Sequence, residues 1–318
     1  MLRGERIRAK GRLVAQGLTG QKATRIYMNG FCYFILICIV FLILYPFFSH
    51  IAACFKSGED LLDESVLYIP REPNLARIKM VNQLMKYATA FLNTTLLPMA
   101  CGVLQTLSCL AIGYGFARYA FPLKRVLFGL VILTMIIPIQ VIMTSLFVGF
   151  MNVDVFGLGT WIFGQPLNTI DTPIPFLILS VFGLGFKNGL YIFLFRQFFR
   201  GMPNELEEAA LIDGTGYWGV FSKIMLPNAW PMMITVFLFS FSWQWTDSYY
   251  TLIFFKEHWV LSVALSYLKT YQGVYFDPAE GAAVLSTGLI FIVIPLFVLY
   301  AFLQKFFIQG IEHSGIVG

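Results

Sequence analysis

Residues 204–213, NELEEAALID, carry four carboxylates, Glu205, Glu207, Glu208 and Asp213, and no basic side chain. Catalysis would call on a base or nucleophile beside them, yet His50, His258 and His313 have no carboxylate or nucleophile at a telling spacing. The following Gly214-Thr-Gly216-Tyr-Trp-Gly219 fits the GxGxxG spacing of a dinucleotide site. That fingerprint needs a strand before it and a helix after it, whereas an acidic helical segment precedes it here and bulky Tyr217 and Trp218 fill the spacers. No GxxxxGK[ST] occurs, so the chain has no P-loop of its own. The five cysteines, Cys32, Cys38, Cys54, Cys101 and Cys109, show no CxxC spacing and read as small buried residues rather than metal ligands or a disulfide framework. What remains for the acidic segment is to dock against something, or to be a solvated connection.

Its local pattern predicts a short helix. Asn204 can cap it, with Glu207 three residues on as the reciprocal partner. Glu205, Glu207 and Glu208 crowd the first turns, where the helix dipole favours anions. Leu206, Ala209 and Ala210 share one face, and Glu207 and Glu208 flank Leu211 on the other. Gly214 and Gly216 then end the helix through left-handed backbone. A second short helix over 217–225 leads to Leu226-Pro227, where the chain is expected to turn.

The elements around this segment are apolar. Of 318 residues 58% are hydrophobic and 12% charged, against roughly a quarter charged in soluble domains. Runs free of Asp, Glu, Lys and Arg cover 26–55, 87–117, 126–153, 224–246 and 281–304, and a sixth, 172–195, is broken only by Lys187. Each exceeds the ~20 residues a helix needs to cross a hydrocarbon core, so the expectation is an all-α polytopic membrane protein with six transmembrane helices. The expected organisation is a basic N-terminal arm over 1–25, a transmembrane domain over 26–308 with a loop at 196–227, and a tail over 309–318. The run ending in Ile51-Ala52-Ala53-Cys54 looks like a lipoprotein leader, but its length marks it as a span.

Lysine and arginine set the orientation. The arm before the first span carries seven and loop 118–125 carries three, whereas loop 154–171 carries none. By the positive-inside bias both termini, and the acidic loop, face the cytoplasm. Intramembrane Lys187 either contacts solute or pairs with backbone carbonyls and snorkels to an interface. Gly185-x-x-x-Gly189 and Ala111-x-x-x-Gly115 allow close helix packing. On the outer side, LARIKMVNQLMKYA reads as an amphipathic helix and WVLSVALSYL as a short one, followed by an aromatic turn, TYQGVYFDPAEG.

The acidic loop resembles the signature of membrane subunits of binding-protein-dependent ABC importers: EAA, three residues, Gly, nine residues, Ile-x-Leu-Pro. Here these are Glu208-Ala209-Ala210, Gly214 and Ile224-Met225-Leu226-Pro227. The resemblance covers nearly the whole chain and narrows to the carbohydrate, maltose-permease-like branch. It is carried by NTTLLP at 93–98, GYGFARYAFPLKRVLF at 113–128, FLFRQFFRGMPNELEEAALIDG at 193–214, WQWTDSYYTLIFF at 243–255 and the ending QKFFIQGIEHSGIVG. The longer basic arm and Lys187 depart from the family pattern.

The resemblance implies a permease subunit in the cytoplasmic membrane of a bacterium or archaeon. It would convert ATP-driven motion into alternating access for a sugar or oligosaccharide, without being an enzyme. It would bind no cofactor, ATP and Mg being held by two copies of a partner ATPase subunit. A second, homologous permease subunit, an extracytoplasmic solute-binding protein and the lipid bilayer would be its other partners, and nucleic acid would not. The coupling residues would be Glu207, Glu208, Ala209, Ala210, Asp213, Gly214, Ile224, Leu226 and Pro227, with Glu208 meeting a basic ATPase residue. Tyr271, Gln272, Gly273, Tyr275, Phe276 and Asp277 would form either a finger reaching the binding protein, with Gly273 and Pro278 shaping turns, or an interfacial aromatic belt. Competing readings are the same machine for another polar solute such as glycerol phosphate, and a self-powered carrier or membrane-embedded enzyme, which would want an intramembrane His or carboxylate cluster.

Overall fold

The computed structural model describes residues 2–154, 157–185, 187–255 and 260–315, with side chains left out at 2–24, 139, 158, 163, 303 and 306–315. His258 and residues 316–318 of the expected tail lie outside the described residues. The described chain is helical nearly throughout, with one isolated antiparallel bridge between Val153 and Leu167. It divides into two compact units, residues 1–75 and 76–318.

The first unit is α1 (Leu2–Phe55) and the short α2 (Gly58–Leu62). α1 passes through the boundary expected at residue 25 without a break. Its apolar part, Arg25–Phe55, is long enough to cross a membrane. Ser57 caps α2 by accepting from the Asp60 amide at 3.1 Å, and buried Asp60 in turn accepts from the Arg71 amide at 3.1 Å.

The second unit starts with α3 (Ala76–Leu84), the helix expected in the outer connection, then α4 (Tyr87–Arg118). α5 (Lys124–Ile136) and α6 (Ile139–Met151) divide the third expected span. The chain bends by 102° between them, at Pro138, which has no N–H to continue a helix. After α7 (Leu158–Phe163), the fourth expected span is also two helices, α8 (Ile174–Val181) and α9 (Asn188–Gly201). Left-handed Gly183 and Lys187 lie in the break. α10 (Glu205–Ile212) is the acidic helix. Beyond α11 (Tyr217–Val220), a π-helical turn over Phe221–Met225 and α12 (Leu226–Asn228), the chain bends by 70° into α13 (Trp230–Thr246). α14 (Tyr249–Phe254), α15 (Leu261–Tyr275) and α16 (Pro278–Gly315) complete it. The last helix continues past residue 308, so the expected tail starts without a break. Among the described residues three helices are long and apolar enough to cross a membrane alone, five if each bent pair is one span. Uninterrupted crossing thus holds for three of the six expected spans. Proline and glycine interrupt the others.

The core forms where helices approach closely. α4 lies against α9 at Gly113, where an added Cβ would sit 2.5 Å from Phe195 Cβ and 3.2 Å from the Ile192 carbonyl. Around that contact Tyr114, Phe195 and Phe199 pack with Ala210, Val220 and Met225, so the acidic loop belongs to the hydrophobic core of the bundle. A second cluster joins Val81, Trp245, Leu261 and Val284 from α3, α13, α15 and α16, with Met85 just after α3.

Candidate functional site

The acidic helix forms where the sequence places it, and its start is built differently. Asn204 is itself helical (φ −68°, ψ −26°), and its carbonyl accepts from the Glu207 and Glu208 amides at 3.0 and 3.1 Å. Its side chain does not cap the helix. Asn204 Oδ1 accepts instead from Nη1 of Arg118, the last residue of α4. A guanidinium is a stronger donor than a backbone amide, so the expected reciprocal box is replaced. Glu207 is correspondingly turned inward, its Oε1 2.9 Å from Arg118 Nε, with 19% and 9% of the two side chains exposed. Arg118 Nη2 donates to the Met202 carbonyl at 2.8 Å.

The opposite side of the helix is open. Glu208, Ala209 and Asp213 are exposed, and Ile212 is 86% exposed. Trp218 (77%) and Tyr217 (67%) extend this apolar surface. Ala210, by contrast, is buried in the chain's own core. Among the four central motif positions, Glu208 and Ala209 are therefore presented outward, while Glu207 and Ala210 hold the helix in place.

Gly214 ends the helix as expected, with φ +81°. The Thr215 amide donates to the Ala210 carbonyl at 2.9 Å and the Gly214 amide to the Leu211 carbonyl at 3.1 Å, the paired bonds of a Schellman stop. Gly216 departs from expectation. It is extended (φ −67°, ψ 162°) and begins α11, where its carbonyl accepts from the Val220 amide. The segment 217–225 is half α-helix and half π-helix. The Leu226 amide reaches back to the Phe221 carbonyl, a widening that accommodates Pro227 one residue later. The chain does not turn at Leu226-Pro227, since the 70° bend comes after Asn228. Ile224 and Leu226 are half-buried and Pro227 is exposed.

The aromatic segment 271–277 is not a turn. Tyr271, Gln272, Gly273 and Tyr275 continue α15, and Tyr271 and Tyr275 stack with ring centroids 4.3 Å apart. Gly273 is helical, Phe276 extended, and Asp277 starts α16 by accepting from the Ala279 and Glu280 amides at 3.0 Å. Pro278 is the first residue of that helix, where its missing N–H costs nothing. Any finger is thus a helix end rather than a loop.

A buried polar layer was not foreseen. Gln105 of α4 donates to Ser180 Oγ at 3.3 Å and accepts from Ser240 Oγ, joining α4, α8 and α13. Ser108 donates to the Ser180 carbonyl at 2.8 Å. Gly185 makes room for the Gln105 amide, since a Cβ there would lie 2.5 Å from Nε2. Beside it, the Asn188 amide atoms and the Tyr191 hydroxyl are buried and meet no hydrogen-bond partner among the described residues. The space lined by Gln105, Gly185, Gln244 and Tyr250 is closed to about 10 Å³, room for one water at most. Neutral residues inside apolar runs give no charge signal, and only their convergence reveals the layer. Lys187 lies at its edge, exposed, with Nζ 5.3 Å from the Trp243 ring centroid. Of the two small-residue motifs, Gly185 and Gly189 make close contacts and Gly115 makes none within 4 Å.

Residues 109–313 match the family described as binding-protein-dependent transport system inner membrane component. A probable ABC transporter permease protein of Pyrococcus horikoshii is 33% identical over 199 residues, 62% of this chain and 64% of that protein, so a little under two thirds of that relative is spanned. An arabinooligosaccharides transport system permease protein of Bacillus subtilis is 27% identical over 286 residues, 87% and 92% of the two chains. In structure, a chain of a bacterial ABC transporter involved in the import of the acidic polysaccharide alginate matches with a TM-score of 0.65 at 19% identity, over 88% of this chain and 96% of that one.

Proposed function

The chain belongs to the binding-protein-dependent transport system inner membrane component family, and from that premise we propose that it is the permease subunit of an ATP-driven carbohydrate importer. In this reading α10 is the coupling helix. Exposed Glu208, Ala209 and Ile212 enter a cleft of an ATPase subunit, where Glu208 meets a basic residue. Two such ATPase subunits hold ATP and Mg, a second permease subunit completes the translocation path, and an extracytoplasmic protein delivers solute. The observation that carries the reading is the outward face of α10, held by Arg118 at its start and stopped by left-handed Gly214 at its end.

Two further features support it. Arg118, Lys124, Arg125, Arg196 and Arg200 gather at the end of the bundle that bears α10, as a cytoplasmic face would. Lys124 is held below the usual lysine pKa by partial burial and by Arg196 and Arg200 nearby. The polar layer of Gln105, Asn188, Tyr191, Ser240 and Gln244 is built from neutral donors and acceptors, which suits a hydroxyl-rich solute. A sugar or oligosaccharide is therefore the proposed cargo, in keeping with the arabinooligosaccharides and alginate named for the relatives above.

The test is Glu208→Lys in the complete importer, reconstituted in proteoliposomes. A like-charge contact in a desolvated cleft costs several kcal/mol, so ATP hydrolysis stimulated by the loaded binding protein is expected to fall at least about tenfold, 1.4 kcal/mol being one decade. Normal transport by this variant would remove α10 from the ATPase interface.

A further inference from the structure

Arg118 is the polar end of a long lever. It closes α4 and brings all three guanidinium nitrogens to the entry and first turn of α10: Nε lies 2.9 Å from Glu207 Oε1, Nη2 donates to the Met202 carbonyl at 2.8 Å, and Nη1 donates to Asn204 Oδ1. The side chain is 9% exposed, so water competes little for these contacts. The Nε–H does not point along the line to Oε1, so that contact is ionic rather than a linear hydrogen bond. A planar, rigid fork fixes orientation where a lysine would supply one point charge.

The polypeptide itself joins α10 only to α9, through residues 202–204, and to α13, through 213–229. Neither connection is covalently continuous with α4. Aromatic contacts bring α4 against both flanks of α10: Tyr114 of α4 meets Phe199 and Phe221, with ring centroids 5.2 and 4.9 Å apart, and Tyr119 meets Tyr217. Such ring contacts resist separation and favour certain tilts, but each adds only about 0.5–1.5 kcal/mol beyond burial and carries no charge, so they hold orientation less firmly than a charged fork. At the other end of the lever, thirteen residues or about 20 Å along α4, Gln105 bonds Ser180 and Ser240 in the buried polar layer. Gly113 seats α4 directly on the backbone of α9 between these points.

We propose that Arg118 is a positioning residue that locks the coupling helix to α4, so that a displacement of α10 is delivered through α4 to the polar layer around Gln105. The inference rests on α10 being the coupling helix. It assigns to Glu207 a role distinct from that of Glu208: Glu207 transmits within the chain, and Glu208 receives from the partner.

The experiment compares wild type, Arg118→Gln, Arg118→Glu, Glu207→Arg and the charge exchange Arg118→Glu with Glu207→Arg, each in the complete reconstituted importer. Solute imported per ATP hydrolysed is measured on complexes purified with their full complement of ATPase subunits. Arg118→Gln is expected to retain at least half of the stimulated hydrolysis while importing several-fold less solute per ATP. A merely structural role would lower the yield of complex and leave that ratio unchanged. A wild-type ratio in Arg118→Gln overturns the proposal. Should Arg118→Gln fail to assemble, the charge exchange decides: a ratio well above that of both single reversals supports the lock, and no improvement over them overturns it. Failure of the coupling reading shows separately, because Glu208→Lys would then hydrolyse and transport normally.

Discussion

Arg77 and Glu280, 203 residues apart, meet in a two-pronged ion pair, with Nε donating to Oε1 at 2.8 Å and Nη2 to Oε2 at 2.7 Å. The pair fastens α3 to the first turn of α16, where a carboxylate also faces the positive end of the helix dipole. Arg77 is 6% exposed, so removing Glu280 takes a bidentate partner from a buried cation. Glu280→Ala is expected to destabilise the chain by about 2–4 kcal/mol, read as a lower unfolding temperature in nanodiscs. Arg77→Met combined with Glu280→Leu should recover most of the loss. An unchanged unfolding temperature in Glu280→Ala would mean the pair is fully screened.

Gly214 separates conformational cost from steric cost. An added Cβ meets nothing within 4 Å, yet φ is +81°. Gly214→Ala should therefore cost only the left-handed penalty, about 1–2 kcal/mol, and Gly214→Val more, because its β-branch restricts the side chain further. Gly214→Asn should fall between wild type and alanine. Unfolding of the isolated subunit gives the order, and a valine variant as stable as wild type would contradict it.

The stacked Tyr271 and Tyr275 end α15 beside 70%-exposed Val274. If this helix end receives the binding protein, Tyr271→Ala with Tyr275→Ala weakens stimulation of ATP hydrolysis several-fold and leaves basal hydrolysis and unfolding temperature unchanged. Loss of thermal stability with stimulation intact would assign the pair to a lipid-interface belt.

Topology has its own check. An impermeant thiol reagent added outside intact cells should label Asn168→Cys, in a connection without Lys or Arg, and spare Glu205→Cys until the membrane is opened. Both native positions are exposed. Labelling of the Glu205 site from outside would invert the orientation drawn from the basic residues.

The acidic helix was legible because its signals are local. Three glutamates in the first turns and a glycine at the stop place it within a residue of its observed bounds. Asn204 was misread because its partner, Arg118, lies 86 residues away and has no local trace in the sequence. The segment 271–275 was misread for a related reason. Glycine and aromatics suggested a turn, but α15 is held by α16, where Gly281 receives Gln272 and Gly288 receives Leu268. The breaks at Pro138 and at Gly183–Lys187 were hidden inside apolar runs whose length alone satisfied a span. Composition fixes that a segment is buried in oil, and it leaves open whether the segment is straight.

The break between α8 and α9 also bears on where the bundle can yield. Gly183 and Lys187 are left-handed there, and the Leu184 amide reaches back five residues to the Leu179 carbonyl. Backbone groups outside regular helix are tolerated at membrane depth only where protein or water satisfies them. Here protein carbonyls do so, the Gly183, Leu184 and Asn188 amides donating to Ser180, Leu179 and Gly185, but through isolated turns rather than a continuous ladder. Those three amide hydrogens should therefore exchange faster than those of α4 beside them, marking the place where the bundle can give.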